Sequence, residues 1–244
     1  MGRFEFCVLH NTMNNVSGLE KSLGVSFTNK DLLNEALTHR SYLNENESWK
    51  YPHNERLEFL GDAVIELIIT EALFLRFPDK PEGELTSFRA SLVNTKMLAE
   101  VAGALQVNDY LLLSRGESKD TGGRARQYIL ANAFEAIVGA LYLDKGYDIV
   151  QSFLEDKLLP NLTEIIEKKL YKDPKSLFQE EAQDRQGITP TYSVIRESGP
   201  DHDKHFVIGI FLEDEKVAEG EGPSKQMAQE EAARKALEAK GWIE

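Results

Sequence analysis

The sequence predicts a large all-α domain followed by a small α+β domain with the element order αβββα. From about residue 18 to residue 168, apolar residues recur at the three- and four-residue spacing of helices. Beyond residue 190 they alternate with polar residues, as in strands. The segment Lys-Asp-Pro-Lys interrupts the last helical pattern between them. We therefore predict an N-terminal extension at 1–17, a helical domain at 18–170, a linker at 171–176 and a second domain at 177–244.

Four main helices are predicted in the first domain. The first begins near Asp31, where Thr28 three positions earlier forms a sequence resembling a capping box. The second contains apolar positions from Leu57 to Ile68, and the third covers 86–101. The fourth covers about 127–143 and should end at Gly146 in a left-handed C-cap conformation. Together these helices indicate a bundle.

The second domain is predicted to contain three strands between two helices. The turn-like sequence Ser-Gly-Pro-Asp-His-Asp separates the first two strands. The predicted helices cover 177–186 and 224–240, and the predicted strands cover 191–197, 205–212 and 215–220. At about seventy residues, this unit is large enough to form a domain.

Composition restricts the location and partners of the chain. No run of eighteen apolar residues occurs, and the N-terminal sequence has no secretory signal, so we expect a cytoplasmic protein that does not cross a membrane. The single cysteine, Cys7, cannot form an internal disulfide. The net charge of -13 disfavours binding to nucleic acid unless lysines cluster locally or carboxylates hold divalent cations.

Two acidic residues define the first candidate site. Glu58 and Asp62 are four positions apart on the second predicted helix, so their side chains share a face. Such a like-charged pair destabilises a helix slightly unless a cation lies between the carboxylates. It also occurs on ordinary solvated faces, and this structural interpretation remains open. Gly61 lies next to Asp62, where a larger side chain would block another helix or a substrate.

A second polar pair lies within the fourth predicted helix. Asn132 and Glu135 are three positions apart on an otherwise apolar helix, where burying an unpaired carboxylate is costly. Glu135 therefore needs either a basic partner or a metal ion. The candidate basic partners are Arg56, Arg89 and Arg126. If the two helices pack together, the four side chains offer only oxygen ligands, which hard cations such as Mg²⁺ prefer.

These motifs resemble the ribonuclease III family. The segment Asn-Glu-Arg-Leu-Glu-Phe-Leu-Gly-Asp-Ala-Val at 54–64 is similar to its most diagnostic motif, and 129–144 is similar to its second acidic motif. Further similar blocks occur in the same order at 38–42, 81–83, 89–93 and 116–117. The resemblance implies a homodimeric, Mg²⁺-dependent endonuclease in which Mn²⁺ can substitute. It implies metal ligands at Glu58, Asp62, Asn132 and Glu135, with Asp62 and Glu135 catalytic.

The resemblance also implies a specific reaction. Hydrolysis of double-stranded RNA would give 5′-phosphate and 3′-hydroxyl ends with two-nucleotide 3′ overhangs, in processing such as the maturation of ribosomal RNA precursors. Asn132 departs from the family, which usually has aspartate there. An amide retains a carbonyl ligand but loses the negative charge, so we expect weaker Mg²⁺ binding. His39 and His53 are interpreted as packing or capping residues rather than bases.

The second domain resembles a double-stranded-RNA-binding domain. Such domains contact 2′-hydroxyls and phosphates of the A-form duplex rather than base sequence. Motif position implies minor-groove contacts by Gln179, Gln183 and His202. It implies phosphate contacts by Ser224, Lys225, Gln226 and Gln229. Glutamines at 226 and 229 replace the lysines common in the family, so we expect weak RNA binding with a shallow salt dependence.

Two other functions remain open. One is a double-stranded-RNA-binding protein whose catalysis is impaired by Asn132. The other is an all-helical, metal-dependent hydrolase of small phosphate esters, which the first domain alone would permit. The similarity of the second domain to an RNA-binding domain counts against that hydrolase.

Overall fold

The computed structural model describes residues 16–119, 122–200 and 204–242. The chain divides into two compact units, one ending at Leu162 and the other beginning at Thr163. The first is helical and the second contains a three-stranded sheet, so the predicted fold class is confirmed. None of the helices within the described ranges is long and apolar enough to cross a membrane.

The first unit is built around two long helices, α4 (Glu55–Arg76) and α8 (Gly123–Lys145). Both are rich in buried apolar residues, and α8 buries a nearly continuous series from Ala133 to Leu141. This burial on several faces explains why α8 lies in the centre of the unit. The other helices are α1 (Ser17–Leu23), α2 (Lys30–Ala36), α3 (Arg40–Leu43), α5 (Glu82–Leu92), α6 (Thr95–Ala104), α7 (Arg115–Lys119), α9 (Tyr147–Lys157) and α10 (Asn161–Glu167), which extends past the division between the units.

The structure corrects three local predictions in this unit. Asn29, not Thr28, caps α2, because its side chain accepts a hydrogen bond from the Asp31 backbone amide at 3.1 Å. The helix predicted over 86–101 is two helices, since Asn94 adopts an extended conformation and caps α6. Gly146 ends α8 with a positive φ of 78°, but its ψ of -174° is outside the predicted left-handed region.

The second unit packs two helices, α11 (Pro174–Gln186) and α12 (Lys225–Lys240), with an antiparallel sheet. The strand order is β1-β2-β3, with β1 at Thr191–Ser198, β2 at His205–Leu212 and β3 at Glu215–Gly222. The central strand β2 is the most buried, as expected for a strand with neighbours on both sides. In the core, the rings of Phe178 and Trp242 stack with centroids 5.1 Å apart.

The helix boundaries in this unit follow from capping. Helix α11 begins three residues before the prediction, because the Asp173 side chain accepts a hydrogen bond from the Ser176 amide at 2.9 Å. Proline in the first turn costs no helical hydrogen bond. Helix α12 is capped by Ser224, which accepts from the Met227 amide at 3.2 Å.

Candidate metal centre and nucleic-acid interface

Helices α4 and α8 make their closest approach at two glycines. A Cβ atom added to Gly61 would lie 1.8 Å from the carbonyl oxygen of Glu135, and one added to Gly139 would lie 2.2 Å from that of Leu57. Any larger residue at either position would therefore force the helices apart. Gly61 makes room for another helix, one of the two explanations that the sequence allowed. Gly139 was missed, although a glycine within an apolar helix was a comparable signal.

This close approach brings together the predicted site residues of both helices. The Asn132 amide donates a hydrogen bond to the carboxylate of Glu58. Burial, and then the charges of Asp62 and Glu58, raise the pKa of Glu135 to about 8. Burial and the charge of Glu55 likewise raise the pKa of Glu58, which the Asn132 hydrogen bond partly offsets. The site therefore brings three carboxyl groups together in an environment that disfavours their full ionisation unless a cation compensates the charge.

The three arginines considered as partners of Glu135 lie elsewhere. Arg89 pairs with Glu66 at 2.9 Å, and the Nε of Arg126 donates to Asn108 at 2.8 Å. Arg56 is exposed, and its charge acts to lower the pKa of Glu35. Among the described residues, no cation appears among the influences on the Glu135 pKa. A basic partner therefore does not explain the buried glutamate.

The ligand chemistry of this set suits a hard cation, although the side chains do not form a closed metal site. The described residues contain no group of three or more His, Cys, Asp or Glu that could hold a metal ion. Asp62 is exposed, whereas Asn132 and Glu135 are half-buried. Three carboxylates and one amide offer oxygen donors only, and a divalent cation would compensate the charge that raises the Glu135 pKa.

The two histidines near α3 and α4 have structural contacts. His39 caps α3, with its Nδ1 accepting a hydrogen bond from the Ser41 amide at 3.3 Å. Burial lowers the pKa of His39, which favours the neutral ring needed for this contact. The His53 Nδ1 is buried and lies 3.7 Å from Glu55, but it has no hydrogen-bond partner among the described residues. The capping interpretation is confirmed for His39.

The predicted minor-groove residues on α11 share one exposed surface. Gln179 and Gln183 both line a shallow depression on this helix. The Gln183 side chain also accepts a hydrogen bond from the Thr189 hydroxyl at 3.1 Å. His202, the third predicted residue, lies outside the described residues.

The predicted phosphate-contacting residues lie at the start of α12. Lys225 is exposed, with its Nζ 5.6 Å from the centroid of the Phe206 ring. Gln226 donates to Glu230 at 2.9 Å, while Gln229 accepts from Lys175 at 2.7 Å. Ser224 is occupied as the N-cap. Lys175, on α11, was missed because nothing in the sequence indicated that it would reach α12.

Comparisons with known proteins agree with this architecture. Residues 29–162 match the family model described as ribonuclease-III-like, and residues 174–240 match the double-stranded RNA binding motif. Ribonuclease 3 of a Nitratiruptor species is 46% identical over 227 residues, which cover 92% of this chain and 96% of that protein. Ribonuclease 3 of a Roseiflexus species is 43% identical, with 92% and 95% covered.

A solved structure supports the helical unit separately. The nuclease domain of ribonuclease III from Campylobacter jejuni, described as flexible in a region involved in dimer formation, is 41% identical with a TM-score of 0.54. The match covers 60% of this chain and 98% of that one. With both parts matched and relatives similar along nearly their whole length, the chain belongs to the ribonuclease III family of double-strand-specific endoribonucleases.

Proposed function

We propose that the chain hydrolyses phosphodiester bonds of double-stranded RNA at the cluster of Glu58, Asp62, Asn132 and Glu135. The products would carry 5′-phosphate and 3′-hydroxyl ends with two-nucleotide 3′ overhangs. The observation that carries the proposal is the close approach of α4 and α8, which puts the partly buried Glu135 beside Glu58 and Asp62 with no cation acting on it among the described residues. This placement raises the pKa of Glu135 to about 8. Family membership makes RNA the substrate, and precursors of ribosomal RNA in the cytoplasm are the proposed natural targets.

Within this proposal, the four side chains have different roles. Without a cation, burial and the neighbouring carboxylates favour the protonated form of Glu135 and raise the pKa of Glu58. A bound cation would favour release of these protons and be held by the resulting carboxylates. Asp62 is exposed, so it can face both a cation and the scissile phosphate. The Asn132 amide orients Glu58 through its hydrogen bond. Asp62 and Glu135 are the proposed catalytic residues.

A divalent cation is the implied cofactor, and we propose Mg²⁺, with Mn²⁺ able to replace it. When bound, such an ion supplies Lewis-acid polarisation of the phosphate and lowers the pKa of a coordinated water. The oxygen-only ligand set and the charge compensation required at Glu135 support this choice. Neither histidine near the site is needed as a base.

RNA cleavage with and without Mg²⁺ tests the proposal. A long, perfect RNA duplex is incubated with the wild-type chain, with Glu135→Ala, and with Glu100→Gln as an exposed-acid control on α6. We expect short duplexes only with Mg²⁺, a loss of roughly 100-fold or more in Glu135→Ala, and normal cleavage by the control. Cleavage by Glu135→Ala at the wild-type rate would refute the assigned site.

A second candidate function is RNA binding with impaired cleavage. It is favoured by the neutral Asn132, which already uses its amide to hydrogen-bond Glu58. Asn132→Asp in the same assay separates the two functions. Cleavage by both chains supports a competent nuclease, whereas cleavage only by Asn132→Asp supports the impaired form. If neither chain cuts or binds the duplex, both proposals fail.

We also propose that the chain acts as a homodimer with one cluster for each RNA strand. Phe59, next to Glu58 on α4, is 82% exposed, which is unusual for a large apolar side chain. We propose that Glu55, Phe59 and Leu60 lie near the interface between copies, as the family resemblance implies. Sedimentation equilibrium should give a dimer for the wild type and a monomer for Phe59→Asp. An unchanged dimer would exclude this residue from the interface.

A further inference from the structure

The second unit pairs most of its positive charge internally. Within its described residues, carboxylates contact the lysines and arginines at positions 168, 169, 172, 185, 204, 216, 234, 235 and 240. Three cations of the same described ranges form no salt bridge there: Lys175, Arg196 and Lys225, although the charge of Lys225 lowers the pKa of Glu197. Because so few charges remain available, their positions should determine where this acidic unit attracts phosphate.

Lys175 is the cation of this group that sequence motifs did not identify. It lies in the first turn of α11 but reaches α12, where its Nζ donates to the Gln229 side-chain oxygen at 2.7 Å. Its Nζ is also 5.4 Å from the centroid of the Tyr192 ring. Lys175 therefore brings a positive charge to position 229, where this chain has glutamine and the family commonly has lysine.

Lys175 forms no salt bridge with a carboxylate of the described residues. Gln229 is neutral, and Asp173, the nearest acid in the sequence, accepts from the amide and hydroxyl of Ser176, although its charge also acts on the pKa of Tyr192. The side chain is half-buried, and the nearby Tyr192 hydroxyl has no hydrogen-bond partner among the described residues. A partly buried ammonium without a salt-bridge partner can be stabilised by an external anion.

We propose that Lys175 contacts an RNA phosphate and, held by Gln229, supplies the charge that α12 lacks at position 229. The inference rests on the proposed binding of double-stranded RNA by this unit. It adds a residue from α11 to the phosphate-contacting surface predicted at the start of α12. Lys175 and Lys225 would then provide separate charges to that surface, one from each helix.

The test measures duplex RNA binding by the full chain in EDTA, so that cleavage does not interfere. Fluorescence anisotropy at several salt concentrations gives the affinity and its salt dependence. We expect Lys175→Gln to weaken binding roughly fivefold and to reduce the slope of log K against log salt by about 0.9, as for loss of one phosphate contact. Lys240→Gln is the matched control, because Lys240 already pairs with Glu215 at 2.9 Å.

A charge exchange separates phosphate binding from a structural role. Lys175→Gln combined with Gln229→Lys keeps the net charge and the two side-chain types while moving the ammonium to α12. This double variant should bind within about twofold of the wild type and recover its salt slope. A lower Tm in Lys175→Gln with the wild-type salt slope would overturn the inference. If the wild type does not bind duplex RNA, the proposed function itself fails.

Discussion

The two units of the chain leave ionisable groups of opposite type without a salt-bridge partner. In the first, Glu58 and Glu135 have raised pKa values where α4 and α8 meet, with no cation of the described residues acting on Glu135. In the second, most lysines and arginines of the described ranges pair with carboxylates, while Lys175 and Lys225 do not. The first arrangement suits a metal cation, and the second suits phosphate. The position of unpaired charge is therefore more informative than the net charge of -13.

The largest expected effect comes from opening the contact between α4 and α8. Gly61→Ala puts a methyl group where the backbone of Glu135 already lies, so we expect roughly 3 kcal/mol of destabilisation and loss of cleavage. Gly103→Ala is the control, because a Cβ there meets nothing within 4 Å in helix α6. It should stabilise the chain by about 0.5–1 kcal/mol. Urea unfolding measures the stability of both variants. If Gly61→Ala were as stable as the wild type, the close contact between α4 and α8 would be contradicted.

The ionisation of Glu135 predicts a pH-dependent stability. Its pKa is about 8 in the folded protein and 4.5 as the reference value, so the folded state retains a proton that the unfolded state releases. Stability from this group is present below pH 4.5 and is lost as the pH rises through 8. In EDTA, Glu135→Gln should therefore have a higher Tm than wild type at about pH 8.5 and nearly the same Tm at about pH 4.5. If the Tm of Glu135→Gln and of the wild type changed with pH in the same way, Glu135 would ionise normally.

Asn132→Asp should change the metal dependence of stability. It replaces a hydrogen-bond donor to Glu58 by a further nearby carboxylate, so the Tm in EDTA should fall. The added charge should also strengthen Mg²⁺ binding, by about tenfold. A Tm titration with Mg²⁺ should show a larger increase and an earlier midpoint than wild type. Asn94→Asp, at the cap of α6, controls for added charge elsewhere. Equal midpoints would exclude residue 132 from the metal site.

Much of the fold and of the candidate site could be predicted from the sequence, because the residue patterns that indicate them are local or repeated. The spacing of apolar residues indicated α4 and α8, and the predicted bounds 205–212 coincide with β2. The alternation expected there was wrong, because the central strand is buried on both faces. The break near Asn94 was missed, since an asparagine within a helical pattern becomes a cap only when the chain turns. The Lys175 contact with Gln229 could not be predicted from the sequence, for a different reason. It joins residues 54 positions apart through tertiary packing, which no short-range pattern encodes.

The smallest expected effect tests the unpaired hydroxyl in the second unit. Burial raises the pKa of Tyr192, and its hydroxyl lacks a partner among the described residues. Tyr192→Phe removes a polar group that was already desolvated without a hydrogen bond, so it should be neutral or stabilise by up to about 1 kcal/mol. Tyr51→Phe is the contrasting variant, because the Tyr51 hydroxyl donates to Asp31 at 2.7 Å and its loss should lower the Tm. Destabilisation by Tyr192→Phe would mean that this hydroxyl binds an ordered water or another group in solution. In that case Tyr192 and the nearby Lys175 would belong to a polar network, and Lys175 would not depend on an external anion.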